Sequence, residues 1–109
     1  MKKFKYYYSI FNVIGVKRML SSEERIVLIA LYLITRGSTK ANFSIQFIRK
    51  KLPKKYQILI DLSKTLKRLE KKGLIWVHYG RKANGGKTYG ITREGIKLAK
   101  QLIEAGFEL

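Results

Sequence analysis

The residues of this chain that could do chemistry are its cations, and they gather at three places. Arg49, Lys50, Lys51, Lys54 and Lys55 crowd one turn. Lys64 and Arg68 follow at helical spacing, with Gln57 and Thr65 near them, and Arg81, Lys82 and Lys87 flank a loop that also holds Asn84. Ammonium and guanidinium groups at this density act on phosphate, neutralising a polyanion's backbone and releasing its counterions. Over the whole chain, 24 Lys and Arg stand against 7 Asp and Glu, a formal charge of +17 on 109 residues. Solubility requires far less than this, and no acidic block offsets it.

Catalytic chemistry is hard to assemble from what remains. His78 is the single histidine; on an alternating strand beside Trp76 it is expected as a half-buried strand residue, not as a base or ligand. The carboxylates are scattered at Glu23, Glu24, Asp61, Glu70, Glu94, Glu104 and Glu108. Glu23 and Glu24 fall in a helix's first turn, where negative charge suits the dipole, and no two of the seven form an acid and base pair. The string Gly85, Gly86, Lys87, Thr88 lacks the upstream glycine spacing of a phosphate-binding loop and leads into a strand, so it reads as a hairpin tip. The chain has no cysteine, hence no disulfide and no thiolate metal site. No enzyme activity, metal or cofactor is expected.

The elements that position the cations are legible from spacing. Leu59, Leu62, Leu66 and Leu69 recur at three and four residues and predict one buried stripe on a helix that begins near Tyr56 and closes at about Lys72. Gln57, Asp61, Lys64, Arg68 and Lys71 fall on the opposite face. Lys71 and Lys72 suit the last turn, and Gly73 supplies a left-handed cap. Leu74 to Tyr79 alternates and is β-branched and aromatic, as is Thr88 to Ile91, with Gly80, Asn84, Gly85 and Gly86 marking the reversal. Upstream, Ser21 with Glu24 fits a capping box, and Ile26, Leu28, Ile29, Ala30, Leu31, Leu33 and Ile34 make a helix apolar almost all round, ended by Gly37. A second helix carries Ile45, Ile48 and Leu52, beside Phe43 and Phe47, and stops at Pro53. A last one runs from a Thr92 cap to Gly106 and is expected to bury Ile96, Ala99, Leu102 and Ile103.

Two segments carry a family resemblance: LKRLEKKGLI, from Leu66 to Ile75, and YGITREG, from Tyr89 to Gly95. With them the chain resembles the winged helix-turn-helix regulators, most closely the MarR and PadR type, over about Ser22 to Gly106. The resemblance implies an α+β, mainly α fold with a three-helix core, a two-stranded β-wing and a C-terminal helix. It also implies a transcriptional regulator of archaeal or archaeal-virus kind that binds double-stranded DNA. In that frame Gln57, Lys64, Thr65 and Arg68 face the major groove, Arg81, Lys82, Asn84 and Lys87 follow the adjacent minor groove or its phosphates, and Lys54 and Lys55 anchor the turn with Arg49, Lys50 and Lys51.

Alternatives stay open. Tyr56, Gln57, Ile58, Leu59, Ile60 and Asp61 are a poor set of base readers, and the basic surface equally suits an RNA- or ribosome-associated winged helix. A third reading is a protein-interaction module in which the Ile58 and Ile60 edge and the N-terminal tyrosine arm bind a partner. Residues 1–20 form an arm whose Phe4, Tyr6, Tyr7, Tyr8, Ile10, Phe11, Val13 and Ile14 need cover. A symmetric homodimer made through the arm is expected, against packing on its own domain, residues 21–109. No apolar stretch is long enough to span a membrane and the start makes a poor signal peptide, so a cytoplasmic protein is expected.

Overall fold

The computed structural model describes residues 20–80 and 86–109. Among them the order is α1 (Ser22–Thr35), α2 (Ile45–Lys51), α3 (Lys54–Leu59), α4 (Leu62–Lys71), β1 (Ile75–Tyr79), β2 (Lys87–Ile91) and α5 (Arg93–Glu104). The described chain is thus α+β and mainly helical, with five helices and a two-stranded antiparallel sheet. The arm from 1 to 19, its expected dimer contact, and Arg81, Lys82 and Asn84 lie outside the described residues. Leu20, at the end of the arm, is buried in the core.

The central element is α1. Its apolar residues surround the helix, so it packs on α2, α4, α5 and β2 at once. Val27, Leu28 and Leu31 are fully buried there, against Ile48 of α2, Leu66 and Leu69 of α4, and Leu98 and Leu102 of α5. Truncating one of these leucines to alanine would cost roughly 2–5 kcal/mol through lost burial and the cavity left behind. The helix starts on the expected capping box: Ser21 Oγ accepts from the Glu24 N–H at 3.1 Å and the Ser21 N–H donates to Glu24 Oε1 at 2.8 Å. Its end differs from expectation. The left-handed cap is Arg36, at φ 55°, followed by Gly37 at φ 73°.

The helix expected from Tyr56 to Lys72 is two helices. Ile60 is extended at φ −96°, ψ 129°, and Asp61 turns the chain into α4 by accepting from the Lys64 N–H at 3.2 Å. The break has a packing reason. Residues two apart point to opposite sides of a helix but to one side of an extended segment, so the break sends Ile60 and Leu62 into the core together. Leu59 leaves the expected stripe and is 70% exposed, with Ile58 at 86%. In α5 the buried set is Gly95, Leu98, Ala99 and Leu102; Ile96 is half-buried and Ile103 faces outward.

The hairpin is held at several points. Phe43 exchanges both backbone hydrogen bonds with Tyr89, at 3.0 and 2.8 Å, extending the sheet by a single bridge before α2 begins. Trp76 Nε1 donates to the Thr39 carbonyl at 3.1 Å, tying β1 to the α1–α2 connection. Thr92 donates its hydroxyl to the Gly73 carbonyl at 2.8 Å and caps α5 by accepting from the Gly95 N–H. Gly73, at φ 75°, turns the chain from α4 into β1. The glycines of YGITREG are explained by close approach: a Cβ on Gly90 would strike the Trp76 ring, and one on Gly95 the Leu74 carbonyl. His78, expected half-buried, is exposed near the free end of β1.

Candidate nucleic-acid interface

The outer face of α4 is built by helical periodicity. Leu62, Thr65, Leu66 and Leu69 are buried, which leaves Lys64, Lys67 and Lys71, spaced three and four apart, on one exposed row. Ser63 stands beside this row at the start of the helix. Across from it, Lys87 extends from β2 with its Nζ 5.5 Å from the centroid of the Tyr79 ring. Between the start of α2, Ser63 and the hairpin lies an open groove of about 610 Å³ lined by Asn42, Ser44, Gln46, Ser63, His78 and Lys87 among others. A narrower cleft of about 100 Å³ separates α4 from the hairpin, with Lys67, Glu70, Val77, Tyr79, Lys87 and Tyr89 along it. Lys67 and Lys87 therefore share the cleft between helix and hairpin, and Lys64 and Lys71 are exposed along the same face of α4.

The structure redistributes the expected site residues. Lys64 and Lys87 stand where expected, exposed on α4 and β2. Thr65 does not face outward; it is fully buried and its hydroxyl donates to the Asp61 carbonyl at 2.8 Å. Gln57 belongs to α3, and its Nε2 donates to the Leu52 carbonyl at 2.7 Å, closing the turn between α2 and α3. Lys54 and Lys55 are exposed on α3, the second with Nζ 4.9 Å from the Tyr56 ring centroid. Arg49, Lys50 and Lys51 are all exposed on α2 but spread around the helix rather than forming one patch. Lys51 lies over the Phe47 ring at 5.3 Å and borders a separate apolar hollow with Leu33, Ile34 and Phe43.

Arg68 is the largest departure. It reaches back to α1, its Nε 3.2 Å from Glu24 Oε2 and its Nη2 3.6 Å from Glu23 Oε1. Lys72 joins from the end of α4, with Nζ 2.8 Å from Glu24 Oε1. The Glu24 side chain is only 2% exposed. Burial alone would raise its pKa, but the hydrogen bonds from Lys72 and the Ser21 backbone, with the charges of Lys72 and Arg68, outweigh it and hold the carboxyl below the usual carboxylate range. One glutamate thus caps α1 and ties down two cations of α4.

Lys67, Ser63 and Gln46 are missing from the expected site. Lys67 was recoverable, since it follows Lys64 by three and precedes Lys71 by four. Gln46 carries no comparable signal, because its place on the groove depends on how α2 packs beside the hairpin. Among the described residues no cluster of metal-ligating side chains occurs and no helix is long and apolar enough to cross a membrane. Comparison with protein-family models, with curated proteins and with solved structures gives no match to this chain.

Proposed function

We propose that the chain is a winged-helix protein that binds double-stranded DNA, with α4 as the recognition helix and the β1–β2 hairpin as the wing. The observation that carries this reading is the row of Lys64, Lys67 and Lys71 on the exposed face of α4, with Lys67 and Lys87 sharing the cleft between helix and hairpin, in a chain of charge +17. A helix of this width enters the major groove, and its flanking lysines meet the phosphates on either side. The order of α1, the Phe43 bridge, α2, α4 and the hairpin supports the winged-helix assignment.

The test is the salt dependence of binding. The logarithm of the duplex-DNA association constant should fall linearly with the logarithm of salt concentration, with a slope of roughly −4 to −8 for about 5 to 9 phosphate contacts. A slope near zero removes the reading. Titration of double-stranded RNA in parallel separates the DNA reading from the RNA one, because an A-form duplex offers α4 no accessible major groove. Tighter binding to RNA than to DNA would favour the RNA-associated alternative.

A further inference from the structure

We infer that α4 and the described walls of the groove meet duplex DNA through its phosphates alone, without preference for base sequence; the inference rests on the DNA-binding reading above. Direct readout of base edges needs particular donors and acceptors: arginine for guanine, asparagine or glutamine for adenine, a carboxylate for the cytosine amino group. On α4 and on the approach to it, residues of these types other than Glu70 are engaged elsewhere. Gln57 is bonded to the Leu52 carbonyl at 2.7 Å, Asp61 caps α4, and Arg68 is paired with Glu24 at 3.2 Å. On the far wall of the groove, Asn42 donates its side-chain amide to the Lys40 carbonyl at 3.2 Å.

What the outer row of α4 offers instead is Ser63, Lys64, Lys67 and Lys71. Lysine is a flexible point charge without the planar fork that makes arginine selective, and a serine hydroxyl accepts several bases equally. Glu70 is the exception: it is exposed seven residues after Ser63, on the same side of α4, and lines the narrow cleft with Ser63, Lys67, Val77 and Tyr79. The residues just before α4, Ile58 and Leu59, are exposed but apolar. This composition fixes a helix on a duplex and leaves it indifferent to the base pairs beneath. Gln46 is the remaining amide on the groove wall, and it stands on α2.

The experiment is selection by the full chain from a pool of random-sequence duplexes, followed by competition binding with A·T-rich, G·C-rich and mixed duplexes of equal length. The expected result is no enriched motif and affinities within about tenfold of one another, against the 10³-fold or greater gap that separates specific from non-specific sites. K64A/K67A/K71A should weaken all duplexes by one common factor and reduce the magnitude of the salt slope by about 3. An enriched motif, or a preference above about 100-fold for one duplex, overturns the inference. A preference that disappears in Gln46→Ala would also overturn it, and would place the reading on α2. Failure to bind every duplex at low salt is a different result, since it removes the DNA-binding reading itself.

Discussion

Lys64 and Arg68 stand one helical turn apart on α4 and carry the same charge, yet they inhabit different electrostatic surroundings. Lys64 is exposed on the outer face of α4 with no carboxylate within ion-pair reach among the described residues. Arg68 is held against Glu24 and Glu23 of α1, although 47% of its side chain remains exposed. A cation already paired with a buried carboxylate must give up that pair before it can meet a phosphate, whereas a free lysine exchanges only water and counterions. Charge counted along a helix therefore overstates the charge available to a ligand. The helix has a side of cations unpaired among the described residues and a side that holds it to the core.

The comparison is broken most directly by removing the free side. K64A/K67A/K71A should lower duplex-DNA affinity by on the order of 10²- to 10³-fold near 0.1 M salt and reduce the salt slope by about 3. The melting temperature should stay within a few degrees of the parent, because exposed lysines contribute little to folding. A large loss of stability in this variant would show that the row is structural. Binding by fluorescence anisotropy together with thermal melting gives both readings.

The bound side is tested through Glu24. Glu24→Gln deletes the charge that Arg68 and Lys72 share and weakens the reciprocal cap of α1, so unfolding free energy should drop by about 2 kcal/mol, measured by urea denaturation. The figure is below that for a fully buried ion pair, since both cations keep access to water. Duplex affinity should not fall with stability. The two released cations should leave it unchanged or raise it, with a steeper salt slope. A joint loss of stability and affinity would mean that Glu24 positions the groove as well as the helix.

The same residue sets a dependence on pH. Its carboxyl titrates below the ordinary value of 4.5, for the reasons of hydrogen bonding and charge given above. The native state therefore binds that proton more weakly than the unfolded chain. The contribution is present in full above about pH 5 and is lost as pH falls through the native value. Stability should be level from neutral pH down to about 5 and then decline, and Glu24→Gln should decline less over that acid range. Equal acid limbs in the two proteins would place the titrating group elsewhere.

How much of this was legible in the sequence follows from what each feature depends on. The capping box at Ser21 and Glu24, the stop at Pro53, the cap at Thr92 and the turn at Gly73 depend on local chemistry, and the sequence shows them directly. The break between α3 and α4 does not follow from periodicity, because Leu59 continues the spacing of Leu62, Leu66 and Leu69. Only tertiary burial of Ile60 decides against it. Thr65, by contrast, was legible as buried, since it stands three after Leu62 and four before Leu69 on the same stripe, and its hydroxyl is satisfied by the carbonyl four residues back. Arg68 was misplaced because its partner lies more than forty residues away in the chain, and nothing in the local pattern distinguishes it from Lys64.

The smallest effect is also the sharpest test of that distinction. In the parent protein, Lys64→Ala should weaken duplex binding by about tenfold near 0.1 M salt, the cost of one phosphate contact, while Arg68→Ala should change it by less than about threefold. Repeating both substitutions in the Glu24→Gln background completes a double-mutant cycle. There Arg68 has lost its main partner, so its removal should weaken binding more than it does in the parent, while the Lys64 effect stays the same. A coupling between residues 24 and 68 in DNA affinity, with none between 24 and 64, is what pairing by Glu24 requires. If Arg68→Ala proves as costly as Lys64→Ala in the parent, the ion pair does not withhold Arg68 from phosphate, and α4 has a single cationic face.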